Sequence, residues 1–207
     1  MGVLNENTII GASVASAAGG YDIPNSLRFN DNDSAYLSRT PASAGNRRTW
    51  TWSGWVKRGN LGTTQHILEA YTATDIETFL RFSSDNTLRF ASYNSGYQFQ
   101  LDTTAVYRDP SAHYHIIVVF DTTQATSTDR IKLYVNGEQI TSLSIASYPS
   151  LNFEAYINNT YIHYLGKWGN GSRQFDGYLA EVNLIDGLAL TPDSFGETGD
   201  YGEWKPI

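Results

Sequence analysis

The sequence predicts an all-β fold: two antiparallel sheets packed face to face as a sandwich. Three observations carry that expectation. Aromatic residues are abundant, with 14 Tyr, 9 Phe and 5 Trp beside many Thr, Ser, Asn and Gly, which suits pleated, half-buried surfaces joined by tight turns. Short alternating or fully apolar runs recur between turn signals at the spacing of a sandwich or barrel. No long window is dominated by Leu, Ala, Glu and Lys, so no long helix and no doubly wound α/β fold is expected. At 207 residues, one well-buried domain accommodates the chain.

The strands follow in order. Ser26 to Phe29 and Ala35 to Ser38 flank the Asx-rich "NDNDS". Thr49 to Lys57 alternates around three tryptophans, and His66 to Tyr71, Thr78 to Phe82 and Thr87 to Ser92 follow, the last two joined by a turn at Ser83 to Asn86. Tyr97 to Leu101 and the apolar run Tyr114 to Asp121 come next. Arg130 to Val135 and Gln139 to Ile145 are read as one hairpin around Asn136-Gly137, because a type I′ turn needs positive φ at both central residues. Tyr161 to Leu165 and Phe175 to Ile185 complete the set.

Charge and composition exclude several function classes. A net charge of −7 and a pI near 5.0, with basic residues scattered, argue against a grip on nucleic acid or anionic lipid, which needs clustered Lys and Arg. Without cysteine, neither a disulfide framework nor a thiolate metal site is available. The start lacks the charged and apolar regions of a secretory signal, and Glu6 stands where a myristoylation signal wants Ser or Thr. No apolar stretch approaches spanning length, so a soluble protein without membrane insertion is expected.

Residues 1–25 read as an N-terminal attachment arm, and residues 26–207 as the domain. The arm is rich in Gly, Ala and Ser, with too little apolar surface to fold alone. Ile9, Ile10 and Val14 nevertheless offer enough to dock on a partner, or to pair with a neighbour's sheet edge.

The joint order of "SLRFNDNDSAYLSR", "TWTWSGWVKRGNLG", "LRFSSDNTLRFASY", "AHYHIIVVFDTT", "DRIKLYVNGEQI" and "YLGKWGNGSRQFDGYLAEVNLIDGLAL" resembles the laminin-G-like, concanavalin A-like jelly roll from about Ser26 to Phe195. More narrowly, the first two pieces and "FDGYLAEVNLIDGLALTPDSFGE" are similar to tailed-phage virion proteins, fibre or tail-associated, that carry this lectin-like domain. The resemblance implies a structural protein of the virion (fibre, tail-associated or head-decorating), assembled in the host cytoplasm. Its partners would be other virion proteins through the arm, further copies of itself with a trimer expected, and a host-surface glycan. The rival expectation on the same fold is a glucanase-like hydrolase.

Four residue groups bear on that choice. Glucanases of this jelly roll carry E-x-D-x-x-E on one strand, so that acid and nucleophile flank the bond about 5 Å apart. The chain has no such motif: "ATDIETFL" offers Asp75 and Glu77 without the third acid, while Glu181 lies an odd step from both Asp176 and Asp186 and so faces away from them on one strand. They read as strand-end and turn residues, and no enzyme is expected. His113 and His115 share a face but lack a visible third ligand, and the resemblance implies that both pack at a sheet rim. "NDNDS" carries the oxygen ligands Ca²⁺ prefers, with Asp31 and Asp33 as the residues that would hold it, although an Asx-rich turn explains them more simply. Period 2 puts Trp50 and Trp52 on one face and Trp55 on the other. Trp52 is expected in the core; Trp50 and Trp55 are the candidates for stacking on a sugar, unless the opposing sheet and a neighbouring chain bury both faces.

Overall fold

The computed structural model describes residues 21, 23–72 and 76–207. Among the described residues, fifteen strands and two single-turn 3-10 helices make up the regular structure. The strands are β1 (Leu27–Phe29), β2 (Leu37–Arg39), β3 (Thr49–Arg58), β4 (Gln65–Tyr71), β5 (Ile76–Phe82), β6 (Thr87–Asn94), β7 (Tyr97–Val106), β8 (Tyr114–Asp121), β9 (Ile131–Val135), β10 (Glu138–Gln139), β11 (Leu143–Ser147), β12 (Ile162–Leu165), β13 (Gly177–Asp186), β14 (Gly196–Thr198) and β15 (Trp204–Pro206). A six-stranded sheet, β1-β13-β3-β8-β9-β10, faces a seven-stranded one, β11-β7-β6-β5-β4-β12-β2, and β14 pairs β15 separately. All pairings are antiparallel, as the jelly-roll expectation requires. Of the arm expected over residues 1–25, only Tyr21 and residues 23–25 are described, so Ile9, Ile10 and Val14 lie outside the described residues.

Alternation in β3 sets the core. Trp50 and Trp52 point between the sheets and are fully buried. Trp50 stacks on Phe120 with ring centroids 4.9 Å apart and meets Phe90 edge-on at 6.0 Å, and Phe99 closes the group 5.1 Å from Phe90. Four aromatic residues from β3, β6, β7 and β8 thus bridge both sheets, and burying rings of this size is the dominant stabilising term.

The Asn136-Gly137 turn forms as expected, with φ of 51° and 82° and Val135 opposite Glu138. The strand expected over Gln139 to Ile145 does not run through. β10 ends after two residues on the six-stranded sheet, and the chain crosses to pair β11 with β7. Ile140 stays on β9 through its N–H to the Leu133 carbonyl at 2.8 Å, while Ser142 already accepts from Thr104 N at 3.2 Å. The C-terminal strands β14 and β15 have no counterpart among the strands the sequence predicts.

Part of the outer face of the six-stranded sheet is covered by the chain's own C-terminal segment, where a neighbouring chain was the alternative cover. Thr51 Oγ donates to the Leu188 carbonyl and accepts from Leu190 N, both at 2.8 Å, and Trp204 lies against Gly137 and Gly196.

Candidate functional site

The cleft that forms around Trp55 starts with the odd positions of β3. Ser53 and Trp55 point outward, opposite Ile117 and His115 of β8. The Trp55 indole stacks on the His115 ring at 4.6 Å and 10°. Trp204 Nε1 donates to His115 Nδ1 at 2.9 Å, which leaves the His115 proton on Nε2, where it is donated to Ser53 Oγ at 2.8 Å. Burial pulls the His115 pKa down to about 4, so the ring is neutral at physiological pH. His115 is therefore a packed, doubly bonded support for Trp55.

Around the half-buried Trp55 a cleft of about 410 Å³ opens, lined by Tyr21, Pro24, His113, Tyr178 and Trp204. Tyr178 is 41% exposed, and its ring lies 5.2 Å from the Arg28 guanidinium. Tyr21 Oη donates to Glu181 Oε1 at 2.8 Å, and on the far side of Tyr21 and Trp55 a second recess of about 250 Å³ reaches Asn183 and Phe195. Amphipathic rings edged by a histidine and amide groups offer stacking area together with polar handles, the combination a sugar ring needs.

Of the two tryptophans proposed for sugar stacking, only Trp55 lines this cleft. Trp50 is corrected: with 0% exposure it sits in the inter-sheet aromatic group, where the opposing sheet closes over it. Sequence periodicity pairs Trp50 with Trp52 but does not say which face is inside.

Asp31 and Asp33 belong to a tight turn in which Ser34 N bonds the Asp31 carbonyl at 3.1 Å and Ser34 takes a φ of 52°. Their carboxylates accept from different amides, Asp33 from Asn30 Nδ2 at 2.6 Å and Asp31 from Asn60 Nδ2 at 2.8 Å. The structure does not bring them to a shared centre. His113 and His115 are likewise not joined by a third ligand, and the described residues contain no group of three or more His, Asp or Glu arranged to hold a metal ion.

The carboxylates of the β13 region act as staples. Asp176 pairs with Arg28 and is 6% exposed. Asp186 accepts from Asn46 N at 2.7 Å and Asn158 Nδ2 at 2.6 Å, tying two loops to the strand end. Glu181 occupies a bulge, with φ of 47° and the register slipping between Ala180 and Asn183. This corrects the face assignment: Leu179 pairs with Val56 toward the core, whereas Asn183 pairs with Ser53 on the outside.

Sequence reasoning missed a different acid pair. Glu69 on β4 and Glu77 on β5 meet on the outer face of the seven-stranded sheet, beneath the loop at 166–174. Gly169 N donates to Glu69 Oε2 at 2.7 Å and Trp168 Nε1 to Glu77 Oε2 at 2.5 Å. Burial, together with the hydrogen bond and charge of Glu77, pushes Glu69 up to about 11. Glu69 therefore holds a proton at neutral pH. His66, packed 3.7 Å away, is held well below its ordinary range by burial, so the contact is between neutral groups and not an ion pair. At 0% and 6% exposed beneath that loop, the two carboxyls are closed to a substrate of the kind that glycosidase acids flank. No local signal in "QHILEAY" marks Glu69; only strand register brings it to Glu77.

A family model described as Concanavalin A-like lectin/glucanases superfamily (Laminin_G_3) matches residues 30–194. Among solved structures, the fold is similar to a heptameric SAP-like pentraxin from Limulus polyphemus, at 17% identity over 80% of this chain and 77% of that one, with a TM-score of 0.55. It is similar to the Ruminococcus gnavus IT-sialidase CBM40 bound to α2,3-sialyllactose, at 15% identity over 78% and 96%, TM-score 0.53. Domains LG4-5 of the mouse laminin α1 chain match at 14% identity over 78% and 41%, TM-score 0.53. At such identities the likeness is one of fold. A search of curated proteins found no match.

Proposed function

This chain belongs to the concanavalin A-like lectin/glucanases superfamily, whose model spans most of its length, and we propose that it serves there as a non-enzymatic, glycan-binding structural protein of a phage virion. The observation that carries the binding reading is the aromatic cleft: Trp55 fixed by His115, with Tyr178 and Tyr21 beside it. The virion reading rests on the sequence resemblance and on the composition of the arm, with its three apolar anchors Ile9, Ile10 and Val14 among small residues. In that setting the arm attaches the domain to other virion proteins or to further copies, three copies being the expected number, and the cleft meets a glycan of the host surface. Against the hydrolase alternative stands the burial of Glu69 and Glu77 beneath the 166–174 loop, where Gly169 N and Trp168 Nε1 each occupy one of their oxygens.

The test is a glycan array, with sialylated glycans first because the CBM40 relative is bound to sialyllactose. Binding by the full chain, lost on Trp55→Ala with the melting curve retained, supports the cleft. Binding lost on adding a chelator would return attention to Asp31 and Asp33. A blank array removes the glycan reading and leaves assembly. Release of reducing sugar from a polysaccharide panel would overturn the non-enzymatic reading, and full incorporation into particles of a chain lacking residues 1–22 would overturn the attachment role.

A further inference from the structure

We propose that the N-terminal arm of one copy docks, as an added strand, into the open side of the sandwich of a second copy. The inference rests on reading the arm as an attachment element and is independent of the glycan and virion assignments.

The receptor is a seam between the two sheets. β1 covers β13 only from Gly177 to Leu179, and among the described residues no strand pairs with that edge from Ala180 to Asp186. On the facing sheet, β2 is an edge of three residues. Between these short edges run two clefts that share Leu37, Leu165 and Val182. One, of about 340 Å³, adds Leu27 and Leu179; the other, of about 700 Å³, adds Leu184. The seam leaves Leu27 53%, Leu37 46% and Leu184 39% exposed beside a β13 edge that no described strand covers, with Arg39, His163 and Asp186 at the polar end of the larger cleft. Such an edge is a template for strand addition.

The occupant follows from where the described chain ends. Twenty residues precede Tyr21. Extended pairing would put Ile10, Ala12 and Val14 on one face, two anchors separated by a small residue that lets the strand enter a narrow groove. The described end of the arm lies outside its own seam. Asn25 and Ser26 still border the seam, but Pro24 and Tyr21 lie on the outer face in the Trp55 cleft, with Tyr21 held by Glu181. From Tyr21, filling its own seam would require the arm to double back around the β13 edge, whereas filling a neighbour's seam requires no such reversal. The roughly 36 Å that the residues from Ile10 to Tyr21 can span is ample for that reach. An arm-to-seam contact is head-to-tail, the type that closes into rings.

The absence of native cysteine makes a direct test clean. Full-length Ile10→Cys and Leu184→Cys chains are co-expressed and oxidised, and the joined peptides are identified by mass spectrometry. The expected result is a disulfide between the two introduced thiols in different chains, with none when Leu184→Cys is replaced by Glu138→Cys on β10 at the opposite sheet edge. No bridge between positions 10 and 184, or a bridge found only within one chain of the Ile10→Cys/Leu184→Cys double variant, overturns the exchange. Light scattering gives the second readout: Leu184→Lys should lower the oligomer mass to that of the monomer, and an unchanged mass would overturn the proposal. Neither result depends on glycan binding or on incorporation into particles.

Discussion

Replacing Glu69 by glutamine should stabilise this protein at neutral pH and leave its stability unchanged in mild acid. Glu69 titrates near 4.5 when solvated but is pushed up to about 11 in the fold, by burial first and by Glu77 second. A carboxyl whose folded pKa is raised contributes stability that is complete below pH 4.5 and is lost as pH climbs toward 11. At pH 7 the chain must hold a proton that the unfolded state has already released. That costs about 1.4 kcal/mol for each pH unit above 4.5, or about 3 kcal/mol, and needs only that the folded pKa lie above 7. Glutamine has the shape of the protonated acid. Its carbonyl can accept from Gly169 N and its amide can donate to Glu77, with no charge to neutralise in either state. Glu69→Gln should therefore raise stability by about 3 kcal/mol at pH 7, seen as a melting shift of roughly 10 °C for a chain of this size. The gain should shrink to nothing at pH 4.5. Denaturant titrations of both proteins across that range are the assay. A glutamine variant destabilised at every pH, or a gain independent of pH, would refute the reading of Glu69 as protonated in the fold.

Other consequences are independent of that pair. His115 is held at about 4, below its ordinary 6.5, so its contribution is complete above pH 6.5 and lost as pH falls; its share of acid destabilisation should reach about 3 kcal/mol by pH 4, and His115→Gln should flatten the slope in calorimetric scans. His66 acts with the same sign, so the acid slope should show most clearly in the Glu69→Gln background. Trp50→Ala should cost about 3–5 kcal/mol in urea titrations by leaving a cavity between the sheets, whereas Trp55→Ala should cost about 1–2 kcal/mol and be felt in binding. Gly137→Ala should cost about 1 kcal/mol or more, because φ is 82° there and Trp204 occupies the space of the new methyl group. Asp186→Ala should lower stability by about 1–3 kcal/mol in urea titrations through the lost bonds from Asn46 and Asn158.

The sequence by itself determined what depends on near neighbours. Asn136 and Gly137 can take positive φ, so the hairpin between β9 and β10 forms where they stand. Period-2 spacing separates Trp50 and Trp52 from Trp55 because successive side chains of a strand must point to opposite faces. Alternating apolar runs with no helical window settle an all-β chain, since only a second sheet can cover such faces. Tertiary structure decided what lies over each face, a question that periodicity does not address. Trp50 went inside because Phe90 and Phe99 come from the opposing sheet, and Trp55 became a cleft wall because Trp204, about 150 residues later, settled against His115. The bulge at Glu181 reversed the faces of half a strand, since one extra residue shifts every following side chain to the other side. Glu69 and Glu77 became a buried neighbouring pair only through the register of β4 on β5 and the loop folded over them, and a carboxyl pKa is set by what surrounds it in space, not by its place in the chain.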